Sequence, residues 1–221
     1  MREKLALVLQ KIERARIAFS RHQIIRLIAV SKYSNSNAIS ELYKYGQRAF
    51  GENKVQDLKS KKEELNIPLE WHFIGNLQSN KINALLDLKP FLIHSVDSLK
   101  LAHQLNERAK IKNMRQKILL QINSAPQFGI NGAILDEAKD IYLQIKESCE
   151  NLEILGLMTM GANSTMPRDI ENAFSATKKL FDQLESSGAK ILSMGMSKDY
   201  EIAIANGANL LRIGSEIFRG I

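Results

Sequence analysis

Short apolar runs recur along the chain, each leading into a polar turn and then into a segment whose apolar positions repeat at helical spacing. Leu27-Ile-Ala-Val30 is one such run. It ends abruptly on Ser31 and Lys32 and the polar turn 33–37, as a buried strand does on entering a loop. Ahead of it, Leu5, Leu9, Ile12, Ala15 and Phe19 predict a first helix over 3–19. Beyond it the same reading predicts strands at 48–53, 71–75, 91–97, 117–123, 152–158, 190–195 and 209–214. Helices are predicted between them at 37–45, 55–65, 80–88, 99–105, 134–145 and 200–205, with another that follows a loop holding Gly161 and Pro167 and ends at Leu184. Gly46, Gly188 and Gly207 supply helix stops, and Asp97 or Ser95 is the expected cap of the helix that holds Leu99 to Leu105.

Strands that alternate with helices imply a parallel sheet. Eight such units imply a closed barrel, and no Gly-x-Gly-x-x-Gly follows the first strand to favour an open dinucleotide fold. The expected fold is α/β, a single (β/α)8 TIM-type barrel with an extra N-terminal helix. One domain spans 1–221, with a basic helix in 1–26 and the barrel in 27–218.

Composition adds limits rather than a function. The 221 residues are 44% hydrophobic and 25% charged, and no apolar run is long enough to cross a bilayer. Part of the net charge of +7 sits at the N-terminus, where seven basic side chains between Arg2 and Arg26 face only Glu3 and Glu13. With no interleaved aromatics, this reads as the solvated face of a packed helix rather than a nucleic-acid surface. The lone Cys149, in a polar stretch read as helix, is expected to be a spare thiol in a reducing cytoplasm.

In a barrel of this kind, chemistry gathers at the carboxyl ends of the strands, and phosphate binds after strands seven and eight. Strand one ends on Lys32. An amine held in a pocket is pushed toward its neutral form and can attack a carbonyl, although the same position also suits a lysine that reaches to solvent. Strand seven ends Met194-Gly-Met-Ser197 and strand eight ends Gly214-Ser215, two glycines that allow close approach and two hydroxyls that can hold an anion. Arg212 can enter the barrel mouth or pair with Glu201 or Glu216. Barrel closure sets strand eight beside strand one. A lysine, an anion cradle and an arginine on one rim suit a ligand with a carbonyl at one end and a phosphate at the other, which phosphosugars and pyridoxal 5′-phosphate both satisfy.

Several motifs resemble the pyridoxal phosphate homeostasis protein family. They are Ala29-Val-Ser-Lys32, Phe50-Gly-Glu-Asn-Lys-Val-Gln56, Trp71-His-Phe-Ile-Gly-Asn-Leu-Gln-Ser-Asn-Lys81, Ile93-His-Ser-Val-Asp97, Gly156-Leu-Met-Thr-Met-Gly161, Leu192-Ser-Met-Gly-Met-Ser197 and Arg212-Ile-Gly-Ser215, in order from about residue 27 to 218. The resemblance implies a barrel similar to the N-terminal domain of alanine racemase. It implies pyridoxal 5′-phosphate held as a Schiff base on Lys32, with Ser197, Gly214 and Ser215 at the phosphate and Arg212 at the pyridine nitrogen. Asn53 is carried with them at the mouth. The family's loop after strand five usually has a lysine before its glycine. Here Ser124-Ala-Pro-Gln-Phe-Gly129 is shorter and lacks it.

The expected role is a cytoplasmic carrier or buffer that supplies or sequesters the cofactor, monomeric and without catalytic turnover, with cofactor-dependent apo-enzymes as candidate partners. Neither nucleic acid nor membrane is an expected partner. A racemase-like enzyme would need a second acid/base, and the chain ends at strand eight without a further domain to bring one. A Schiff-base phosphosugar aldolase would need a proton shuttle beside Lys32, and no acid is paired with it in sequence. His72 and His94 stand on separate strands without a carboxylate or cysteine cluster, so they are expected to point into polar layers of the barrel and to bind no metal.

Overall fold

The computed structural model describes residues 1–125 and 131–218. Helix α1 (Arg2–Phe19) leads into the alternating series. The series runs β1 (Arg26–Val30), α2 (Ser36–Lys44), β2 (Ala49–Glu52), α3 (Val55–Glu64), β3 (Glu70–Phe73), α4 (Ile82–Asp87), β4 (Leu92–Val96), α5 (Leu99–Ile111) and β5 (Gln116–Asn123). It continues through β6 (Ala133–Ile134), α6 (Leu135–Ser148), β7 (Leu152–Thr159), α7 (Pro167–Leu184), β8 (Ile191–Ser193), α8 (Tyr200–Ala205), β9 (Leu210–Ile213) and α9 (Ser215–Phe218).

All pairings are parallel, and the order β1-β2-β3-β4-β5-β7-β8-β9 returns to β1 through Ile28↔Arg212 and its neighbours. The sheet is thus a closed eight-stranded barrel. The two-residue β6 is an addition that the hydrophobic pattern does not show. It pairs with the carboxyl end of β5 at Ile122↔Ala133, past the residues that β4 uses.

Alternation along each strand divides the core in two. Ile28, Ala49, Leu92, Leu119, Met158 and Leu210 fill the inside of the barrel. Leu27, Ala29, Phe50, Phe73, Ile93 and Leu211 point outward onto helix residues such as Ile39, Leu58, Tyr142, Phe174 and Ile204. Fully burying a side chain of this size is worth roughly 1.5–3 kcal/mol.

Three local expectations are corrected. The buried stripe of α1 is Leu5, Val8 and Ile12, whereas Leu9 and Phe19 are about half exposed, because the helix lies against α8 and α9 along one narrow edge. The cap of α5 is Ser98, whose Oγ accepts from Leu101 N–H at 3.3 Å. Strand β4 holds Ser95 inside the barrel wall, and Asp97 Oδ1 accepts from Ser98 Oγ. Cys149 is 1% exposed and closes α6 against the core rather than lying on a polar face, and burial pushes its thiol up.

Candidate functional site

The inward parity of β1 runs through Ile28 and Val30, and Lys32 follows them just past the strand end. Lys32 is half-buried, with Nζ 5.0 Å from the ring centre of the exposed Tyr33. The backbone that carries it is tightly held. Ser31 is fully buried, its N–H donates to Gly51 O at 3.0 Å, and its hydroxyl donates to Glu52 Oε1 at 2.6 Å. Lys61, from α3, donates through Nζ to Glu52 Oε1 at 2.7 Å and to the carbonyl of Ser31 at 2.8 Å. Burial pushes the Glu52 carboxyl up, and the bonds from Lys61 and Ser31 oppose that push.

Sequence reading missed this unit. Its signal is that Val55, Leu58 and Lys61 share the buried stripe of α3, so a lysine stands where the pattern wants an apolar residue.

Asn53 follows β2 and is half-buried. A side chain at Gly75 would place its Cβ 1.9 Å from Asn53 O, so glycine lets the end of β3 pack directly on the Asn53 backbone.

Across the barrel mouth, Gly195 takes φ +96° and a Cβ there would lie 2.7 Å from Ala203 Cβ. That turn swings Met196 and Ser197 toward β9, where Gly214 N–H donates to Ser197 Oγ at 3.4 Å. Asp199 Oδ1 accepts from Met196 N–H at 2.6 Å and fixes the same turn. A Cβ on Gly214 would meet Val30 O at 3.0 Å, which puts the end of β9 against β1 two residues before Lys32. Ser215 comes next and opens α9.

Arg212 lies deeper in the barrel and is 5% exposed. Its guanidinium donates to Ser193 Oγ at 2.6 Å and to Thr159 O at 2.8 Å. Neither Glu201 nor Glu216 is its partner. Asp199 is the carboxylate that supports its charge, while burial pushes the group down to about 10, still protonated at neutral pH.

His94 Nδ1 lies 3.1 Å from Ser193 Oγ, and His94 Nε2 lies 3.1 Å from His72 Nδ1. Burial pushes His72 down to about 3 and His94 well below the ordinary range, so both rings are neutral. They do point into the barrel, as one connected layer with Arg212. Among the described residues, no group of three or more histidine, cysteine and acidic side chains could hold a metal ion, and no helix is long and apolar enough to cross a membrane.

The structure therefore gathers Arg212, Ser197, Gly214 and Ser215 at the ends of β8 and β9, beside the end of β1. Lys32 and Asn53 stand on the adjoining rim. No hydrogen bond or ion pair among the described residues links Lys32 to that group. Ser124 Oγ lies 2.8 Å from Thr159 Oγ1, but positions 126–129 of the shortened loop lie outside the described residues. Of the turn methionines, Met158 and Met194 are buried, whereas Met160 and Met196 are over a third exposed. A concavity of about 470 Å³ lies elsewhere, against Ser79, Ile82 and the outer face of α5. Charge and hydrogen-bonding capacity, not volume, single out the mouth as the candidate site.

A closed parallel barrel with a lysine after its first strand and a glycine–serine turn after each of its last two fits one class of fold. Residues 10–220 match the family model "alanine racemase, N-terminal domain". Within that class the chain belongs to the pyridoxal phosphate homeostasis protein family. It is 53% identical over 219 residues to the family's protein from Helicobacter pylori (strain ATCC 700392 / 26695), covering 99% of this chain and 98% of that one. It is 37% identical over 207 residues to the protein from Homo sapiens, covering 87% and 75%.

Among solved structures, PipY of Synechococcus elongatus PCC7942 with pyridoxal phosphate bound superposes with a TM-score of 0.84 at 31% identity, covering 98% of this chain and 99% of that one. Alanine racemase of Clostridium difficile 630 has a TM-score of 0.77 at 17% identity over 98% of this chain and 56% of its own, a likeness of fold.

Proposed function

We propose that this chain binds pyridoxal 5′-phosphate covalently through Lys32 and serves cofactor homeostasis as a carrier or buffer without catalytic turnover. The observation that carries the reading is the contact of the Ser197–Gly214 cradle with β1, two residues before Lys32, above a buried and protonated Arg212. The group fits these residues: its phosphate suits the cradle of Gly214, Ser197 and Ser215, and its ring nitrogen suits Arg212. When bound, the cofactor supplies an aldehyde that condenses with a primary amine.

Arg212 keeps its own proton at neutral pH and so leaves a neighbouring ring nitrogen unprotonated, which makes the ring a poor electron sink. That favours holding over turnover, as does the homeostasis name carried by the relatives. Asn53 closes the mouth on the β2 side. The buried, unpaired Cys149 accords with a reducing cytoplasm, where apo-enzymes would be the recipients.

Dialysis of the loaded protein tests the reading. Ser197→Ala and Arg212→Ala should lose cofactor about tenfold faster than the parent, as for a charge-assisted hydrogen bond worth about 1.4 kcal/mol. Lys32→Ala should retain none covalently. Retention unchanged in both cradle variants would contradict the assignment. Turnover of alanine or another amino acid by the loaded parent would contradict the non-catalytic role.

A further inference from the structure

Lys32 occupies the first corner of a turn over 31–34. Ser34 N–H donates to Ser31 O at 2.8 Å and closes that turn, with Lys32 and Tyr33 between them. The same carbonyl accepts from Lys61 Nζ at 2.8 Å, so both of its lone pairs are taken. The Ser31 hydroxyl is held from the same side, by Glu52 Oε1 at 2.6 Å. Helix α3 also reaches the far end of the loop, one helical turn beyond Lys61. There Glu64 Oε2 accepts from Ser36 Oγ at 2.5 Å, next to Asn35, whose Oδ1 caps α2 by accepting from Ala38 N–H at 3.0 Å. The loop over 31–36 is therefore tied to α3 at both ends, and the bonds converge on the residue that precedes Lys32.

Stability alone is a poor reason for this arrangement. A buried ion pair offsets its desolvation only when its remaining lone pairs are also satisfied. Here Lys61 and Ser31 both bond to Oε1, while Glu52 Oε2 is buried without a hydrogen-bond partner among the described residues. An apolar residue at position 61 would continue the stripe of Val55 and Leu58, but it would leave the Ser31 carbonyl to Ser34 alone. What the charged pair adds is direction. An ammonium fixed by a carboxylate on β2 is aimed at one carbonyl oxygen, the one ahead of Lys32.

We propose that Lys61 and Glu52 are positioning residues for Lys32, locking the turn so that its amine meets the cofactor's aldehyde in a reactive arrangement. The inference rests on the reading of Lys32 as the covalent anchor. In that step the neutral Lys32 amine adds to the aldehyde carbon, and its two hydrogens leave with the aldehyde oxygen as water when the C=N bond forms. Lys61 and Glu52 touch neither reactant and act through the Ser31 backbone. A displacement of a reacting group by about 1 Å costs up to about a hundredfold in rate, whereas the phosphate cradle is built on other strands and keeps its hold.

The test compares the parent with the double variant Lys61→Met/Glu52→Gln, which removes the clamp without leaving an unpaired buried charge. Lys59→Met, an exposed change on the same helix, is the control. Stopped-flow absorbance follows covalent uptake of pyridoxal 5′-phosphate. Calorimetry gives the affinity for pyridoxine 5′-phosphate, whose alcohol cannot form the bond, and amide hydrogen exchange of the cofactor-free protein reads the Ser34 N–H. The double variant should take up cofactor at least about tenfold more slowly and keep its pyridoxine 5′-phosphate affinity within about twofold. Its Ser34 N–H should exchange at least about fivefold faster, and Lys59→Met should match the parent throughout. Uptake at the parental rate, or equal losses in uptake and in pyridoxine 5′-phosphate affinity, would overturn the positioning role. A parent that forms no bond at Lys32 would instead overturn the anchor reading beneath it.

Discussion

Lys61 and Glu52 show how much of the candidate site rests on residues that never touch a ligand. Glu52 is fully buried, and among the described residues its charge is supported by Lys61 and the Ser31 hydroxyl. Lys61→Met leaves that carboxyl buried and unpaired, so it should destabilise the fold by about 3–5 kcal/mol in urea unfolding. Adding Glu52→Gln should recover part of the loss, because the uncompensated charge is then gone.

The histidine layer gives a second prediction at this scale. His72 is held near 3 when folded and titrates near 6.5 when unfolded, so the unfolded chain binds the extra proton between those limits. Stability should therefore fall as pH drops below 6.5, by about 1.4 kcal/mol per unit from His72 alone. Glu52 and Asp199, whose carboxyls are raised by burial, act in the opposite sense nearer their own range. The urea midpoint of His72→Gln should thus be flatter with pH than that of the parent. Equal slopes in the two proteins would remove His72 from the account.

Among secondary-structure elements, those that carry the site were the easiest to read from sequence. Strand β1 is announced by an unbroken apolar run, and both cradle turns by a glycine followed closely by a hydroxyl. What stayed hidden was set by packing across elements. Val8 rather than Leu9 faces the core because α8 and α9 fix the edge on which α1 lies. Ser98 caps α5 because β4 ends two residues before it. Neither the two-residue β6 nor the four-residue α9 is long enough to show a period. The Glu52–Lys61 pair was missed for a different reason: two charges of opposite sign, nine positions apart, look like ordinary surface composition unless Lys61 is noticed to fall on the apolar stripe of α3.

Gly195→Ala tests the turn itself. It forces a side chain into a left-handed backbone and against Ala203, so it should cost about 1–3 kcal/mol and loosen cofactor retention together. A change in stability with retention intact would separate the turn from the site.

At the scale of the whole molecule, barrel closure is what joins the parts. The pairing of β9 with β1 sets Gly214 against Val30, and only that closure brings the last turns of the chain beside its first strand. Helix α1 sits over the seam from outside. Its buried Leu5, Val8 and Ile12 and the 3.6 Å ion pair between Lys11 and Glu216 make it a buttress for α8 and α9. The basic stretch is thus partly engaged within the molecule, with Arg16 bound to Glu13 at 2.7 Å. Leu5→Ala should accordingly lower stability by about 2–4 kcal/mol, as large-to-small changes in a core do.

The covalent role of Lys32 is the claim on which the functional reading turns. Reduction of the cofactor-loaded protein with borohydride, followed by peptide mapping by mass spectrometry, tests it most directly. The account predicts one pyridoxyl group, on the peptide that contains Lys32, and its disappearance in Lys32→Ala. A pyridoxyl group on another lysine, or full labelling of Lys32→Ala, would contradict it.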